Sequence, residues 1–221
     1  MNWPRSAALA FAVVLVASGI ITRPALAQTG QAHSVIAHML ERNPGLRSFR
    51  SRVRVDARML NFPFLRPTLQ GNSYFKRPDS YEVVFDRMPG YAKGFERLFN
   101  DIGDPASWEK QQFVSYDGER SIDGRTMLAL RMTKKIRSDQ LAYTVAYVNP
   151  STYEVAQMEW HYASGGTIVM TQTFRLEGSF RVLASQHATI SIPHFRGVAD
   201  SIYGPYETNT ALSDSVFAKK I

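Results

Sequence analysis

Apolar and polar residues alternate most regularly in the segment 48–59. Between Phe49 and Met59 the odd-numbered positions are mostly apolar, whereas four of the even-numbered positions are arginines. Successive side chains of a strand point to opposite faces, so this period of two predicts a strand with one buried face. The four arginines then lie on the outer face of an antiparallel sheet, which is commonly exposed to water. An anionic membrane surface is the alternative partner for that face.

Nine further segments show strand signals, mostly alternating runs bounded by Gly, Pro, Asn or Asp. They are 69–77, 80–86, 111–116, 126–133, 141–148, 154–162, 167–175, 181–192 and 199–207. The turns predicted between the later strands are 117–118, 123–124, 149–150, 164–166 and 177–178. Because short turns join neighbouring antiparallel strands, this succession predicts a β-meander.

Two segments show the period of a helix. Apolar residues recur at helical spacing in 32–43, which ends at Asn43, Pro44 and Gly45, and again in 91–102. The apolar face of the predicted sheet needs a cover, and these two helices are the only cover that the pattern supplies. We therefore expect a mainly antiparallel, strongly curved sheet closed over by helices.

The N-terminal segment 1–27 has the features of a secretory signal peptide. Arg5 precedes the apolar run 7–21, and Ala25 and Ala27 form a small-residue cleavage site. The alternative is a membrane anchor, but this run is shorter than the roughly 20 residues that a helix needs to cross a bilayer. The sequence thus predicts cleavage after Ala27, export to the periplasm, and a single domain over 28–221.

Charge and cysteine content restrict the function further. The chain has 26 Lys and Arg against 19 Asp and Glu, a formal net charge of +7, and no cysteine. The absence of cysteine excludes disulfides, cysteine-ligated metals, thiol nucleophiles and a lipid anchor on cysteine. The predicted signal peptide holds two of the arginines and no acid, which leaves +5. Outside the cytoplasm such a protein meets anionic lipids rather than nucleic acid, so we expect no nucleic-acid partner.

Motifs for catalysis are absent from the sequence. It has no G-x-S-x-G, no phosphate-binding loop and no histidine pair at zinc-binding spacing. His161 shares a predicted strand face with Glu159, and His187 lies on a nearby strand, so a histidine–carboxylate site is one alternative. A polar outer face is the interpretation that we prefer. The sequence therefore predicts a protein that is not an enzyme and that has no metal or cofactor.

Abundant rings and methionines indicate a container for apolar ligands. Aromatic residues make up 12% of the chain and there are 8 methionines, whose flexible side chains suit varied apolar partners. An apolar cavity would bind acyl chains at about 0.8 kcal/mol per buried CH₂ group. The alternative, for each residue taken singly, is an ordinary place in the core.

The segment 71–81, with Lys76, Arg77 and Pro78 at its centre, resembles a motif of the LolA/LolB-type lipoprotein carriers. The leading helix, the strand 48–59 and this motif follow in the order of that family, and 141–175 resembles its later strands. The resemblance implies an incomplete, half-open β-barrel with a helical lid around an apolar cavity. It also implies transport of lipid-modified proteins between the two membranes of Gram-negative bacteria. In the family the arginine before the proline latches the lid through backbone hydrogen bonds, a role that falls on Arg77.

On this basis we assign candidate roles to three groups of residues. The cavity wall is predicted to comprise Phe75, Tyr81, Val83, Phe85, Met158, Trp160, Met170 and Phe174. The lid, in the helix 91–102, is predicted to use Phe95, Leu98 and Phe99. The mouth is predicted to use Phe62, Phe64 and Leu65. The long apolar loop 61–68 and the helix 91–102 both depart from the family pattern, and both would shape the lid and rim that select cargo.

The function expected from these features is a monomeric periplasmic carrier for the acyl chains of lipoproteins or lipids. Membrane-bound donor and acceptor proteins would be its other partners. One alternative is an envelope sensor of the same fold that binds lipids or peptides and controls a membrane protein. The other is a lipid-modifying hydrolase that uses His161 or His187.

Overall fold

A computed structural model describes residues 25–78, 80–90, 96–136 and 140–218 of the chain. Three α-helices lie in these segments: α1 Ala25–Glu41, α2 Glu96–Gly103 and α3 Pro105–Gln111. The ten strands are β1 Ser48–Met59, β2 Thr68–Lys76, β3 Ser80–Phe85, β4 Gln112–Ile122, β5 Arg125–Lys134, β6 Leu141–Val148, β7 Val155–Tyr162, β8 Thr167–Glu177, β9 Phe180–Ile192 and β10 Phe195–Thr208. Each of the ten predicted strands is present.

All ten strands form one antiparallel sheet in the order β3-β2-β1-β10-β9-β8-β7-β6-β5-β4. The run from β4 to β10 is the predicted meander, and the last strand returns to pair with the first. The edge strands β3 and β4 follow each other in the chain, yet they do not pair. The sheet therefore stays open along one side, which confirms the expected half-open barrel.

The helices occupy the gap between the two edge strands. Helix α2 packs on β3, whereas α1 and α3 pack on β4, and α3 contacts both other helices. Asn100 of α2 joins the β3 edge, because its side-chain oxygen accepts from the backbone N–H of Val83 at 2.9 Å. Its amide donates to Glu82 at 3.1 Å. The open side is thus closed by side-chain contacts rather than by a ladder of backbone hydrogen bonds.

The helices differ from the predicted ones at their ends. Helix α1 begins at Ala25, before the predicted cleavage point, but its buried face begins at Ala32, so cleavage there would leave that face intact. The predicted helix 91–102 corresponds to α2, and its part 91–95 lies outside the described residues. Helix α3 was not predicted; it starts at Pro105 because proline fits the first turn of a helix, where no N–H partner is needed.

The predicted turn at Asp117 and Gly118 is wrong. Strand β4 continues through both residues, and its pairing with β5 shifts there between Tyr116 and Glu119. Gly118 has φ +84°, a conformation that glycine adopts without strain. A bulge and a turn both use this property, so the Asp-Gly pair alone does not distinguish them.

Large apolar side chains fill much of the concave side of the sheet. They come from all three helices and from most strands, and they form one cluster. Several have almost no exposed surface: Trp108, Leu130, Met132, Met158, Trp160, Ile168 and Met170. In the segments described, no helix combines the length and the apolar character needed to cross a bilayer.

Gly71 provides a test of how closely β2 and β3 approach. A Cβ atom there would collide with the backbone oxygen of Val84 and lie 2.7 Å from Cα of Phe85. We expect Gly71→Ala to lower the free energy of unfolding by roughly 1–3 kcal/mol, as overpacking commonly does. The measurement is urea denaturation. Gly30→Ala is the control, since nothing lies within 4 Å of that site on α1 and alanine favours a helix. Equal stability of the two variants would contradict the close approach.

Candidate functional site

Two cavities lie between the sheet and the helices, at opposite ends of the strands. We call the end with the β2–β3, β6–β7 and β8–β9 turns the upper end, and the end with the β1–β2 and β9–β10 turns the lower end. The upper cavity has a volume of about 150 Å³. The lower cavity has a volume of about 60 Å³. Both are smaller than the roughly 300–1,000 Å³ typical of small-molecule sites.

The upper cavity combines aromatic walls with a basic rim. Rings from the sheet line it, including Phe49, Phe75, Phe174 and Tyr206. Arginines border it from three separate elements: Arg42 after α1, Arg77 after β2 and Arg181 on β9. Asp104 is the one carboxylate on its lining. The cavity can therefore hold an apolar group at one side and an acceptor of hydrogen bonds at the other.

Arg77 holds the C-terminal end of α1 to the end of β2. Its Nε donates to the carbonyl of Leu46 at 2.8 Å, and its Nη2 donates to the carbonyls of Asn43 at 2.9 Å and Leu40 at 3.2 Å. The last carbonyls of a helix have no partner within the helix, and a cation there is favourable. The guanidinium thus stabilises the turn between α1 and β1.

The lower cavity is lined almost entirely by apolar side chains. Leu98 and Phe99 of α2 face Met170, Ala188 and Ile190 of the sheet across it. Met59 and Pro67, which flank the β1–β2 loop, also border it. This loop therefore lies at the rim of the lower cavity.

The β1–β2 loop presents aromatic rings to solvent from an ordered turn. Phe62 is 46% exposed and Phe64 80%, and their rings meet edge to face at 6.2 Å. Backbone hydrogen bonds close the loop, from Phe62 N–H to Met59 at 3.2 Å and from Leu65 N–H to Phe62 at 2.8 Å. Exposed rings on a hydrogen-bonded loop form an apolar contact surface rather than part of the core.

A belt of polar side chains crosses the interior from the upper cavity towards the lower one. It consists of Ser73, Tyr81, Gln186 and Tyr203. The hydroxyl of Ser73 donates to that of Tyr81 at 3.1 Å, and the hydroxyl of Tyr203 donates to Gln186 at 2.8 Å. Burial raises the pKa of both phenols, so they remain protonated donors.

Strand register places Tyr203 at mid-height, whereas Tyr81 pairs with Phe75 and lies level with the upper cavity. Tyr203 pairs with Val53, which also pairs with Gly71. Phe49 and Phe75 of the upper cavity lie on one side of that level, and Val55 and Leu69 of the lower cavity lie on the other. The level of Tyr203 therefore lies between the two cavities.

Neither histidine of the sheet faces a cavity. His161 lies on the outer face, where it bonds to Glu159 at 2.9 Å and stacks on Tyr143 at 4.3 Å. His187 also lies outside. Its Nδ1 is 2.7 Å from Asp200, and its Nε2 is 3.5 Å from the hydroxyl of Thr189. Asp200, His187 and Thr189 thus follow each other as the acid, base and hydroxyl of a catalytic triad do. They lie, however, on an exposed strand face away from both cavities.

Comparison with known proteins supports the fold without a sequence match. No protein-family model matches the chain, and no curated protein does. Among solved structures, a DUF1329 family protein from Desulfovibrio piger has a TM-score of 0.66 at 12% identity, over 87% of this chain and 98% of that one. A domain described as an outer membrane lipoprotein-sorting protein, from Vibrio parahaemolyticus, has a TM-score of 0.63 at 10% identity, over 86% and 97%.

A LolA superfamily protein from Nitrosomonas europaea has a TM-score of 0.58 at 15% identity, over 85% of this chain and 97% of that one. The protein therefore has a LolA-like fold. The predicted resemblance is confirmed at the level of the fold. Identities this low do not transfer a cargo, so the function of this LolA-like chain rests on its own residues.

Within the LolA-like fold, the predicted wall residues lie in three environments. Phe75, Tyr81 and Phe174 line the upper cavity, and Met170 lines the lower one together with the predicted lid residues Leu98 and Phe99. Val83, Met158 and Trp160 are buried in the core and line neither cavity. Phe85 packs edge to face on Phe99 at 5.7 Å. Phe95 lies outside the described residues.

Arg77 bonds to a different helix from the one predicted as the lid. The predicted lid is the helix 91–102, whereas the carbonyls that Arg77 contacts lie at the end of α1 and just after it. Arg42 lies inside the predicted helix 32–43 and belongs to no motif, so it received no role at the cavity. Phe49 was assigned to the apolar face of its strand but not to the cavity. Only the spatial neighbours of these two residues reveal their place at the cavity.

Removal of the Arg77 guanidinium should loosen the end of α1. We expect Arg77→Met to cost about 2 kcal/mol, because three carbonyls lose a charged donor. Hydrogen exchange should then become faster at the backbone amides of the C-terminal turn of α1. Arg125→Met is the control, since this exposed arginine has no hydrogen bond or ion pair that the described part of the chain shows. Unchanged exchange at α1 in Arg77→Met would contradict the holding role.

Proposed function

We propose that the protein is a periplasmic carrier that binds acyl chains of lipids or lipoproteins inside its half-barrel and transfers them across the cell envelope. The observation that carries this proposal is the construction of the open side. Short helices bridge β3 and β4 there, and apolar cavities lie directly beneath them. The LolA-like fold and the predicted signal peptide support the same conclusion.

Opening requires the loss of side-chain packing but of few backbone hydrogen bonds. Helix α2 buries Leu98, Phe99 and Ile102. Exposure of these three side chains costs roughly 1.5–3 kcal/mol each. Burial of one methylene group returns about 0.8 kcal/mol. Burial of roughly six to eleven methylene groups therefore offsets the free-energy cost of exposing the three side chains of α2. The acyl chains of ordinary lipids are longer than that.

Cargo binding is then a shift between two populations of the same protein. In the empty state α2 fills the space beside Met170 and Ile190. An acyl chain binds the open state better, since it covers the apolar surface that α2 leaves. The present cavities are the remains of that space when the helices are closed, which explains why they are small. The role of Arg77 as a latch on α1 belongs to the same proposal.

Occupation of the cavities by larger side chains should weaken binding. The neutral fluorophore N-phenyl-1-naphthylamine, displaced by monolaurin, reports binding of an uncharged acyl chain. We expect Ala188→Leu, which fills the lower cavity, and Leu183→Trp, which fills the upper one, to weaken monolaurin binding at least five-fold. Thermal melting checks that each variant folds.

The histidines provide the matched controls for that experiment. His161→Ala and His187→Ala remove outer-face groups and should leave monolaurin binding unchanged. If the wild-type protein does not bind the fluorophore, the carrier proposal is wrong. If it hydrolyses monolaurin and loses this activity in His187→Ala, the hydrolase alternative is correct.

The β1–β2 loop is the proposed mouth through which cargo is exchanged with a membrane or a membrane-bound partner. Phe62→Ser together with Phe64→Ser should slow transfer of a fluorescent acyl lipid between phosphatidylglycerol-containing vesicles at least five-fold. Equilibrium affinity for monolaurin should not change, because neither ring lines a cavity. Leu176→Ser, at an exposed residue near the upper end, is the control. Equal transfer rates for the loop variant and the control would contradict this role.

A further inference from the structure

Arg42 carries a partly buried positive charge at the upper cavity. It follows α1, and its guanidinium lies over the ring of Phe174 at 5.0 Å from the centroid. Its Nε is buried and has no hydrogen-bond partner. In the described part of the chain no carboxylate lies within ion-pair distance of Arg42. The aromatic face attracts the cation, but it does not accept the hydrogen bonds that the guanidinium offers.

The other arginines of this cavity are already satisfied. Arg77 donates to three backbone carbonyls. Arg181 bonds through two nitrogens to Glu154, at 2.6 and 3.1 Å. Glu154 is itself buried, so its charge is largely compensated by Arg181. Arg42 is the member of the group that still lacks an acceptor.

Electrostatic effects on Arg42 agree with this geometry. Burial lowers the pKa of Arg42, and the nearby charge of Glu154 only partly opposes that effect. Arginine remains protonated at neutral pH even so. A protonated group whose pKa is lowered by burial gains stability from a negative partner at close range.

The unpartnered buried polar atoms of the interior share one property. In the residues described they are Nε of Arg42, Nε1 of Trp160 and Nε2 of Gln186, and all three are nitrogen donors. Buried donors are normally paired in folded proteins. Arg42 is the only one of these three residues that borders either cavity. A ligand oxygen in the upper cavity can therefore reach the guanidinium of Arg42.

We propose that the upper cavity binds the anionic head group of an amphiphile, a carboxylate or a phosphate ester, with Arg42 as the anchoring residue. This inference rests on the carrier function proposed above and specifies the class of cargo. The head group pairs with the guanidinium, and the first methylene groups contact the rings of Phe49, Phe75 and Phe174. An uncharged acyl ester would leave Arg42 without a negative partner at hydrogen-bond distance. The preferred cargo is thus an anionic lipid.

The test compares three twelve-carbon amphiphiles that differ in the head group: laurate, dodecyl phosphate and monolaurin. Each displaces N-phenyl-1-naphthylamine from the wild-type protein, from Arg42→Met and from Arg125→Met. We expect laurate or dodecyl phosphate to bind wild type at least ten-fold more tightly than monolaurin. The preference should disappear in Arg42→Met. It should persist in Arg125→Met, which loses the same charge from an exposed site.

The outcomes separate this inference from the carrier proposal. Equal affinities of wild type for all three amphiphiles would overturn the anionic site and leave the carrier intact. An anionic preference that persists in Arg42→Met would also overturn it. No displacement by any amphiphile would overturn both proposals. The comparison of laurate with dodecyl phosphate shows whether the preferred head group is a carboxylate or a phosphate ester. Should Arg42→Met fail to fold, Arg42→Lys, which keeps the charge, is expected to retain the preference.

Discussion

The pairing of β1 with β10 determines most of this structure. It joins the first strand of the chain to the last one, so the meander bends back on itself and encloses a concave side. The same pairing places β3 and β4 at the two free edges. The described residues between these edge strands form α2 and α3 rather than a further strand. The two helices therefore span the gap with side-chain contacts. The two cavities and the position of the helices over them follow from that division between a hydrogen-bonded sheet and a packed open side.

Most side chains that fill the interior are apolar, but several polar groups are buried among them. The belt of Ser73, Tyr81, Gln186 and Tyr203 runs from the upper cavity towards the lower one. Rings and methionines surround the lower part, and arginines border the upper part. Such a gradient suits a ligand that has a charged end and an apolar chain. Replacement of buried charge by packed hydrophobic residues is often stabilising. Stability alone therefore does not explain the unpartnered donors of this interior.

Gly103 shows how closely the helices rest on this interior. A Cβ atom there would overlap the ring of Tyr81, so α2 ends directly against a member of the belt. The opening of α2 proposed above would therefore break its contact with Tyr81 as well as expose the lower cavity.

Short-range patterns identified the strands, since each depends on alternation within a few residues. The same reasoning missed α3 and placed a turn at Gly118, because turn signals do not show whether the chain reverses or bulges. It also assigned Val83, Met158 and Trp160 to the same wall as Phe75 and Phe174. Alternation tells which face a side chain occupies, but not whether that face borders a cavity or packed side chains.

The sequence alone determined the ten strands, the charged outer face of β1 and the resemblance to the LolA/LolB-type carriers. Those features depend on side-chain periodicity and on a local motif. Tertiary structure alone decided that β1 pairs with β10, that Arg77 holds α1, and that Arg42, whose Nε has no hydrogen-bond partner among the described residues, lies beside Phe174. Each of these facts joins residues that lie far apart in the chain. Long-range contacts of this kind arise from the closure of the sheet, which no local pattern encodes.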